Sequence, residues 1–315
     1  MIYNSVITNH RKIGVIRAIS KYKLYYLLIL PGVLYYLVFH YLPMFGVVIA
    51  FKDIAPFEGL KGIINGEWVG FKHFSNFFNS VYFWQILRNT VLISTYRIIF
   101  GFPAPILLAL LLNEIRNRTF MRTVQTISYL PHFISIVVVV GLTTNLLSTQ
   151  GGLINEVIKS LGGEPIFFLG DVKYFRGVIV GTDIWKRLGW ESIIYIAAMT
   201  SIDIQLYEAA VIDGANKLRK IWHITLPSIS NIIVIVFIFA VGDLLNAGFE
   251  KILLLYSPPV YEVSDIIDTY VYREGLIGMK YSYSSAVNFF KSFVAMFLLL
   301  GTNYIAKKFD QEGIW

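Results

Sequence analysis

The 315-residue sequence contains no cysteine, which excludes disulfides, thiolate metal sites and cysteine nucleophiles together. Charge is also scarce: Asp, Glu, Lys and Arg make up 15% of the residues, against ~25% in ordinary soluble domains. No Gly-Lys pair occurs, so the phosphate-cradling loop G-x-x-x-x-G-K-[ST] is missing and ATP has no such site in this chain. H-E-x-x-H and G-x-S-x-G are absent too, and the five histidines are scattered. No catalytic residue and no metal ligand can be named.

What is present is apolar: 56% of residues are hydrophobic and 16% aromatic, with a mean hydropathy of +0.62. A helix needs ~20 mainly apolar residues to cross ~30 Å of hydrocarbon. Six stretches meet that need, at about 24–50, 86–112, 124–147, 177–202, 228–248 and 285–306. The sequence therefore predicts an all-α integral membrane protein with six transmembrane helices. Pro31, Pro43, Pro103, Pro105 and Pro131 fall in or beside these stretches, where neighbouring helices can re-satisfy the backbone. The stretch 24–50 is too long for a signal peptide and no A-x-A-like cleavage site follows, so it reads as an uncleaved first span.

Basic residues set the orientation. With residue 1 inside, the inner segments (1–23, 113–123, 203–223, 307–315) hold 13 Lys+Arg in 64 residues, the outer segments 9 in 99. Both termini are thus expected in the cytoplasm of a multi-pass plasma-membrane protein. The net charge of +7 is led by Arg11, Lys12, Arg17, Lys21 and Lys23, just ahead of the first span. This pattern suits a topology signal and anionic membrane lipid rather than nucleic acid. The expected organisation is a basic cytoplasmic tail (1–23), a first helix (24–50) and an extracytoplasmic loop (51–85). A core of five helices (86–306) and a cytoplasmic tail (307–315) follow. In the loops, 66–78 is aromatic-rich and expected along the headgroup layer, and 148–175 should hold a short amphipathic helix ended by Gly162-Gly163.

Polar residues within spans are costly and so tend to be functional. The set Trp185, Lys186, Trp190, Glu191, Tyr195, Asp243, Asn246, Glu250, Asn288 and Lys291 could line a polar cavity with aromatic platforms, which suits sugars. Ion pairing between helices is an equal reading for each charge, with Lys186 and Lys291 as partners for Asp183 or Glu250. Trp68 and Tyr272 read as interface anchors, and Gly177 with Gly181 as a small-xxx-small helix contact.

One polar stretch interrupts the apolar pattern, "EAAVIDGANKLRKIWHITLP" at 208–227. Residues 204–212 suit a short helix, stopped at Gly214, where glycine takes a left-handed backbone cheaply. A second helix restarts near Asn216, with Leu218, Ile221, Trp222 and Thr225 at i, i+3, i+4 and i+7 as an apolar face. Pro227 suits the first turn of the fifth span. The small Ala209 and Ala210 allow another backbone to come close. The whole is a helix–turn–helix elbow on the cytoplasmic side; a solvated loop carrying an interfacial helix is the plain alternative.

The order Glu208-Ala209-Ala210, three residues, Gly214, nine residues, Ile224, one residue, Leu226-Pro227 matches the EAA motif of bacterial ABC-importer permeases at every spacing. Asp213-Gly214-Ala215 resembles the fuller form in carbohydrate importers. "LRNTVLIS" (87–94), "SYLPHFIS" (128–135), "DIWKRLGWESIIYIAAM" (183–199), "GFEKILLL" (248–255) and the final "EGIW" resemble the polysaccharide-type, LplB-like branch. The resemblance implies a type I ABC-importer transmembrane domain with a MetI-like core. It further implies a second permease subunit, two ATPase subunits that bind ATP-Mg, and an extracytoplasmic solute-binding protein. The elbow would then be the coupling helix. Glu208 would pair with a cation of the ATPase, and Ala209 and Ala210 would permit close approach. Gly214 would make the turn beside Asp213, with Leu218, Ile221 and Trp222 packing the elbow ahead of Leu226-Pro227.

The cargo expected is an oligosaccharide or polysaccharide fragment, with a peptide or amino acid as the alternative. An intramembrane enzyme on lipid-linked glycans would need a catalytic constellation, which is lacking. An ion-driven carrier often shows inverted repeats and has no use for the elbow.

Overall fold

Twenty-nine residues, Lys23–Phe51, form one long helix, α1. It absorbs Pro31 and Pro43 by widening at Leu37–Tyr41 and tightening at Phe45–Phe51. The computed structural model describes residues 21–308 and 313–314, so the predicted basic tail lies outside the described residues except for 21–23. Nothing in Lys23–Tyr36 is buried; α1 meets the remaining chain through its last turns, where Ala50 packs near the final helix.

A two-residue antiparallel ladder, β1 (Lys52–Asp53) with β2 (Glu67–Trp68), encloses the short α2 (Gly59–Asn65) and is followed by α3 (Lys72–Phe78). The aromatic stretch 66–78 is not simply laid along a headgroup layer. His73, Phe74 and Phe77 are buried on the protein while Trp68 and Phe71 stay exposed. Helix α4 (Phe83–Asn113) is the second long apolar helix, with one wide turn at Arg97–Gly101 just ahead of Pro103 and Pro105.

The third predicted span is two helices, α5 (Arg118–Phe133) and α6 (Ile136–Leu147), bent by 106° at their junction. The cause is local. Pro131 occupies the last turn of α5, Ile134 is extended, and the Ser135 hydroxyl accepts from the Val138 amide to start α6 afresh. Asn117, which matches a glycosylation sequon in sequence, accepts from the Thr119 and Phe120 amides and caps α5. Helix α7 (Leu153–Ser160) ends as predicted at Gly162, whose φ is +84°.

Helix α8 (Val172–Thr200) is 29 residues long and packs along α4 and α5. Six charged residues keep it less apolar than the other long helices. Three helices are long and apolar enough to cross a membrane among the described residues, or five if each bent pair is one span; α8 is the remaining predicted crossing. Its close contact with α5 is at Gly189, where a Cβ would sit 2.1 Å from the Ser128 carbonyl oxygen. Gly177 and Gly181 have nothing within 4 Å of an added Cβ, so neither makes a close small-residue contact among the described residues.

The elbow is α9 (Ile204–Ile212) and α10 (Lys217–Ser228), and α10 meets α11 (Ser230–Gly242) at a 65° bend. Pro227 therefore lies in the last turn of the elbow helix rather than in the first turn of span five. That span ends at Gly242, six residues earlier than predicted, because a turn follows and Gly248, at φ +89°, launches α12 (Phe249–Leu255). Short α13 (Tyr261–Ser264) and α14 (Ile267–Val271, continuing as a wide turn Tyr272–Ile277) lead to α15 (Tyr281–Lys308), which opens earlier than expected. One apolar core joins Ile93, Val140, Phe175, Ile179, Ile252 and Ile266; another joins Ile106, Ala109, Tyr195, Met199 and Ile229 towards the elbow.

Candidate functional sites: the elbow and two cavities

The elbow is built by caps. Asp203 accepts from the Gln205 amide to start α9, and Asn216 accepts from the Arg219 amide to start α10. Between them Gly214 takes φ +75°, and the Ala215 amide reaches back to the Ala210 carbonyl at 2.8 Å, closing α9 as the sequence predicted. Two contacts fasten the elbow to the bundle: Lys217 pairs with Glu114 just beyond α4 (3.4 Å), and the Tyr207 hydroxyl meets buried Thr225 at 2.9 Å. Ile221 and Leu226 pack against the core around Tyr195. Leu218 and Trp222 join no core cluster among the described residues, and each is 67% exposed. Glu208, Ala209 and Asp213 are exposed and Ala210 is half-buried. The elbow thus offers exposed apolar, acidic and basic side chains on a fastened base.

The ten cavity residues named from the sequence do not form one group. Glu191, Tyr195 and Asp243 line a cavity of about 440 Å³ between α4, α8 and α11. Its polar rim is an ion network on Asp183. Arg97 Nε lies 2.8 Å from Asp183 Oδ2, Lys251 Nζ 2.8 Å from Oδ1 and Arg187 Nε 3.6 Å from Oδ1. Arg187 also reaches Glu191 at 3.3 Å, and Arg97 donates to the Asn246 carbonyl. Buried Ser94, whose hydroxyl has no partner among the described residues, lines the same cavity.

Asn246, Asn288 and Lys291 line a second cavity, of about 480 Å³, with Phe249, Asp268 and Tyr272. Lys291 pairs here with Asp268 at 2.5 Å, not with Asp183 or Glu250. The remaining four stand apart. Lys186 donates to the carbonyls of Pro131, His132 and Ile134 (3.3, 2.9 and 2.7 Å), capping the broken end of α5. Trp190 stacks on His132 with ring centroids 4.4 Å apart. Trp185 is exposed on α8. Glu250 is exposed on α12 and joins no ion pair among the described residues. At the end opposite the elbow, Arg273 makes a two-point contact with Asp265 (3.1 and 2.7 Å), which holds its guanidinium above the ordinary value. There too the Glu274 carboxylate, 2.7 Å away, raises the Lys280 ammonium.

Sequence reasoning missed Arg97, Lys251 and Asp268. Arg97 carried a usable signal, as a cation in the middle of the apolar run 86–112, well inside Arg88 near its start. Lys251 and Asp268 fall in segments read as outer loop and carried none.

Broken helices around charged cavities, with a fastened elbow, define a membrane transport subunit. The chain belongs to the family described as binding-protein-dependent transport system inner membrane component, whose model matches residues 101–311. It is similar to Protein LplB of Bacillus subtilis (strain 168), 47% identical over 310 residues that cover 98% of this chain and 96% of LplB. The polygalacturonan/rhamnogalacturonan transport system permease protein YteP of the same organism is 50% identical over 293 residues, covering 93% and 90%. A chain in the crystal structure of a bacterial alginate ABC transporter, in complex with an alginate pentasaccharide-bound periplasmic protein, superposes with a TM-score of 0.87. That chain is 38% identical, with 95% of this chain and 99% of that one covered. The protein is an ABC transporter permease with the type I importer fold, multi-pass in the plasma membrane.

Proposed function

We propose that this chain carries an oligosaccharide or polysaccharide fragment inward as one of two permease subunits of an ABC importer. The observation that carries this reading is the end-to-end likeness to YteP, at 50% identity over 93% of the chain. An extracytoplasmic binding protein delivers the cargo, as the periplasmic protein of the alginate transporter suggests. Two ATPase subunits bind ATP-Mg, since this sequence has no phosphate-cradling loop. Both termini and the elbow lie in the cytoplasm, in line with the Lys+Arg asymmetry.

The elbow is the coupling helix in this reading. Exposed Glu208 pairs with a cation in a groove of the ATPase, and Ala209, Ala210, Leu218 and Trp222 fill the groove. Gly214 and Asp213 form the turn, and Ile221, Leu226 and Pro227 join it to α11. ATPase closure then moves α10 and α11 as one body and changes the side to which the cavities open. The test is uptake of labelled glycans, peptides and amino acids by cells with and without the gene. Loss of oligosaccharide uptake alone is expected on deletion; loss of peptide or amino-acid uptake with glycan uptake intact would overturn the reading.

A further inference from the structure

The second cavity contains what a sugar acid needs, and three separate segments converge to supply it. Asn246 comes from the turn after α11, and Phe249 from the first residue of α12. Asp268 and Tyr272, four residues apart, share a face of α14; Asn288 and Lys291, three apart, share a face of α15. Phe249 and Tyr272 stand with centroids 5.7 Å apart and planes tilted by 52°, an angled aromatic corner in which either ring can offer its face to a pyranose. The volume of about 480 Å³ is in the ~300–1,000 Å³ range of small-ligand sites.

Two further observations point to a polar occupant. The Asn288 amide is exposed on the cavity side of α15 and has no hydrogen-bond partner among the described residues, seven residues into a membrane-crossing helix and about 10 Å from its start. Its amide is therefore free to bond with whatever enters the cavity, and a polar occupant suits it better than lipid. Lys291 makes 2.5 Å contacts with Asp268 Oδ1 and Asn246 Oδ1 on the cavity wall. A largely buried ion pair gains little over apolar packing, so stability alone is a weak reason for it. A cation held by an internal carboxylate can instead be handed to an external one.

We infer that this cavity is a uronate-reading subsite, in which a cargo carboxylate displaces Asp268 from Lys291 while Phe249 and Tyr272 stack the ring and Asn288 binds its hydroxyls. This rests on the oligosaccharide reading and assigns specificity within it. In that exchange Asp268 acts as an internal competitor, which sets the sign of the test.

The experiment measures uptake by the complete transporter of a trigalacturonide and of its carboxyl-reduced, neutral counterpart. Asp268→Asn should lower KM for the acid, and the paired change Lys291→Met with Asp268→Asn, which removes both charges together, should raise it about tenfold, the scale of one charge-assisted hydrogen bond. KM for the neutral trisaccharide should stay put in both variants. Equal shifts for the two sugars, or no shift in either, would overturn the subsite while leaving glycan transport standing. Failure of the unaltered transporter to take up either sugar, with another solute accepted, would overturn the oligosaccharide reading and the subsite with it.

Discussion

Lys186 shows how a residue that looks functional can be spoken for by the backbone. Three carbonyls left open by the break after α5 converge on its ammonium, which suits the negative end of a helix. Lys186→Met should therefore lower the melting temperature of the detergent-purified protein, by loss of a charged hydrogen-bond group worth about 1.5–3 kcal/mol. KM for cargo should be unchanged, and a KM effect at unchanged stability would return Lys186 to the transport path. Gly189 is as demanding in the opposite sense. A side chain there would strike the backbone of α5 at Ser128, so Gly189→Leu should destabilise by at least the ~1–3 kcal/mol typical of overpacking, seen as loss of protein from the membrane fraction. Nothing in the local sequence separates Gly189 from Gly177 and Gly181. Only the path of α5 decides which glycine meets a neighbour.

Among the elements, the elbow was the most legible. Its caps, Gly214 and the restart at Asn216 are local signals, and local signals survive without knowledge of neighbours. The breaks at Ile134 and Ile229 were not legible as sharp bends, because Pro131 or Pro227 is tolerated in many membrane helices. Leu218 and Trp222 fall in helical register with Ile221, yet Ile221 packs on the core while both of them stay exposed. Their exposure gives the elbow a surface for a partner. Glu208→Ala should cut transport sharply while the protein stays in the membrane, because a cation left unpaired in a partner groove costs about 3–5 kcal/mol. Gly214→Asp should do the same by placing a side chain at φ +75°. Wild-type transport in both variants would end the coupling-helix assignment.

At the scale of the molecule, composition announced a membrane protein and motif spacing announced a permease. The division of the polar residues into two cavities was hidden, since it depends on which helices touch. Asp183 joins α4, α8 and α12 through Arg97, Arg187 and Lys251, residues drawn from 97 to 251 in the chain. Orientation is directly testable against the cysteine-free background. Cysteines placed at Ser5 and Asn216 should resist an impermeant thiol reagent in intact cells, while one at exposed Leu161 should react. Labelling at Asn216 in intact cells would put the elbow on the wrong side for an ATPase. The most direct test of the account is accumulation of a labelled oligosaccharide in proteoliposomes holding this chain, its permease partner and the ATPase pair, with loaded binding protein outside. Accumulation should require ATP and the elbow, and this chain alone should bind no nucleotide. Uptake driven by an ion gradient without ATP, or tight ATP binding by the isolated chain, would contradict it.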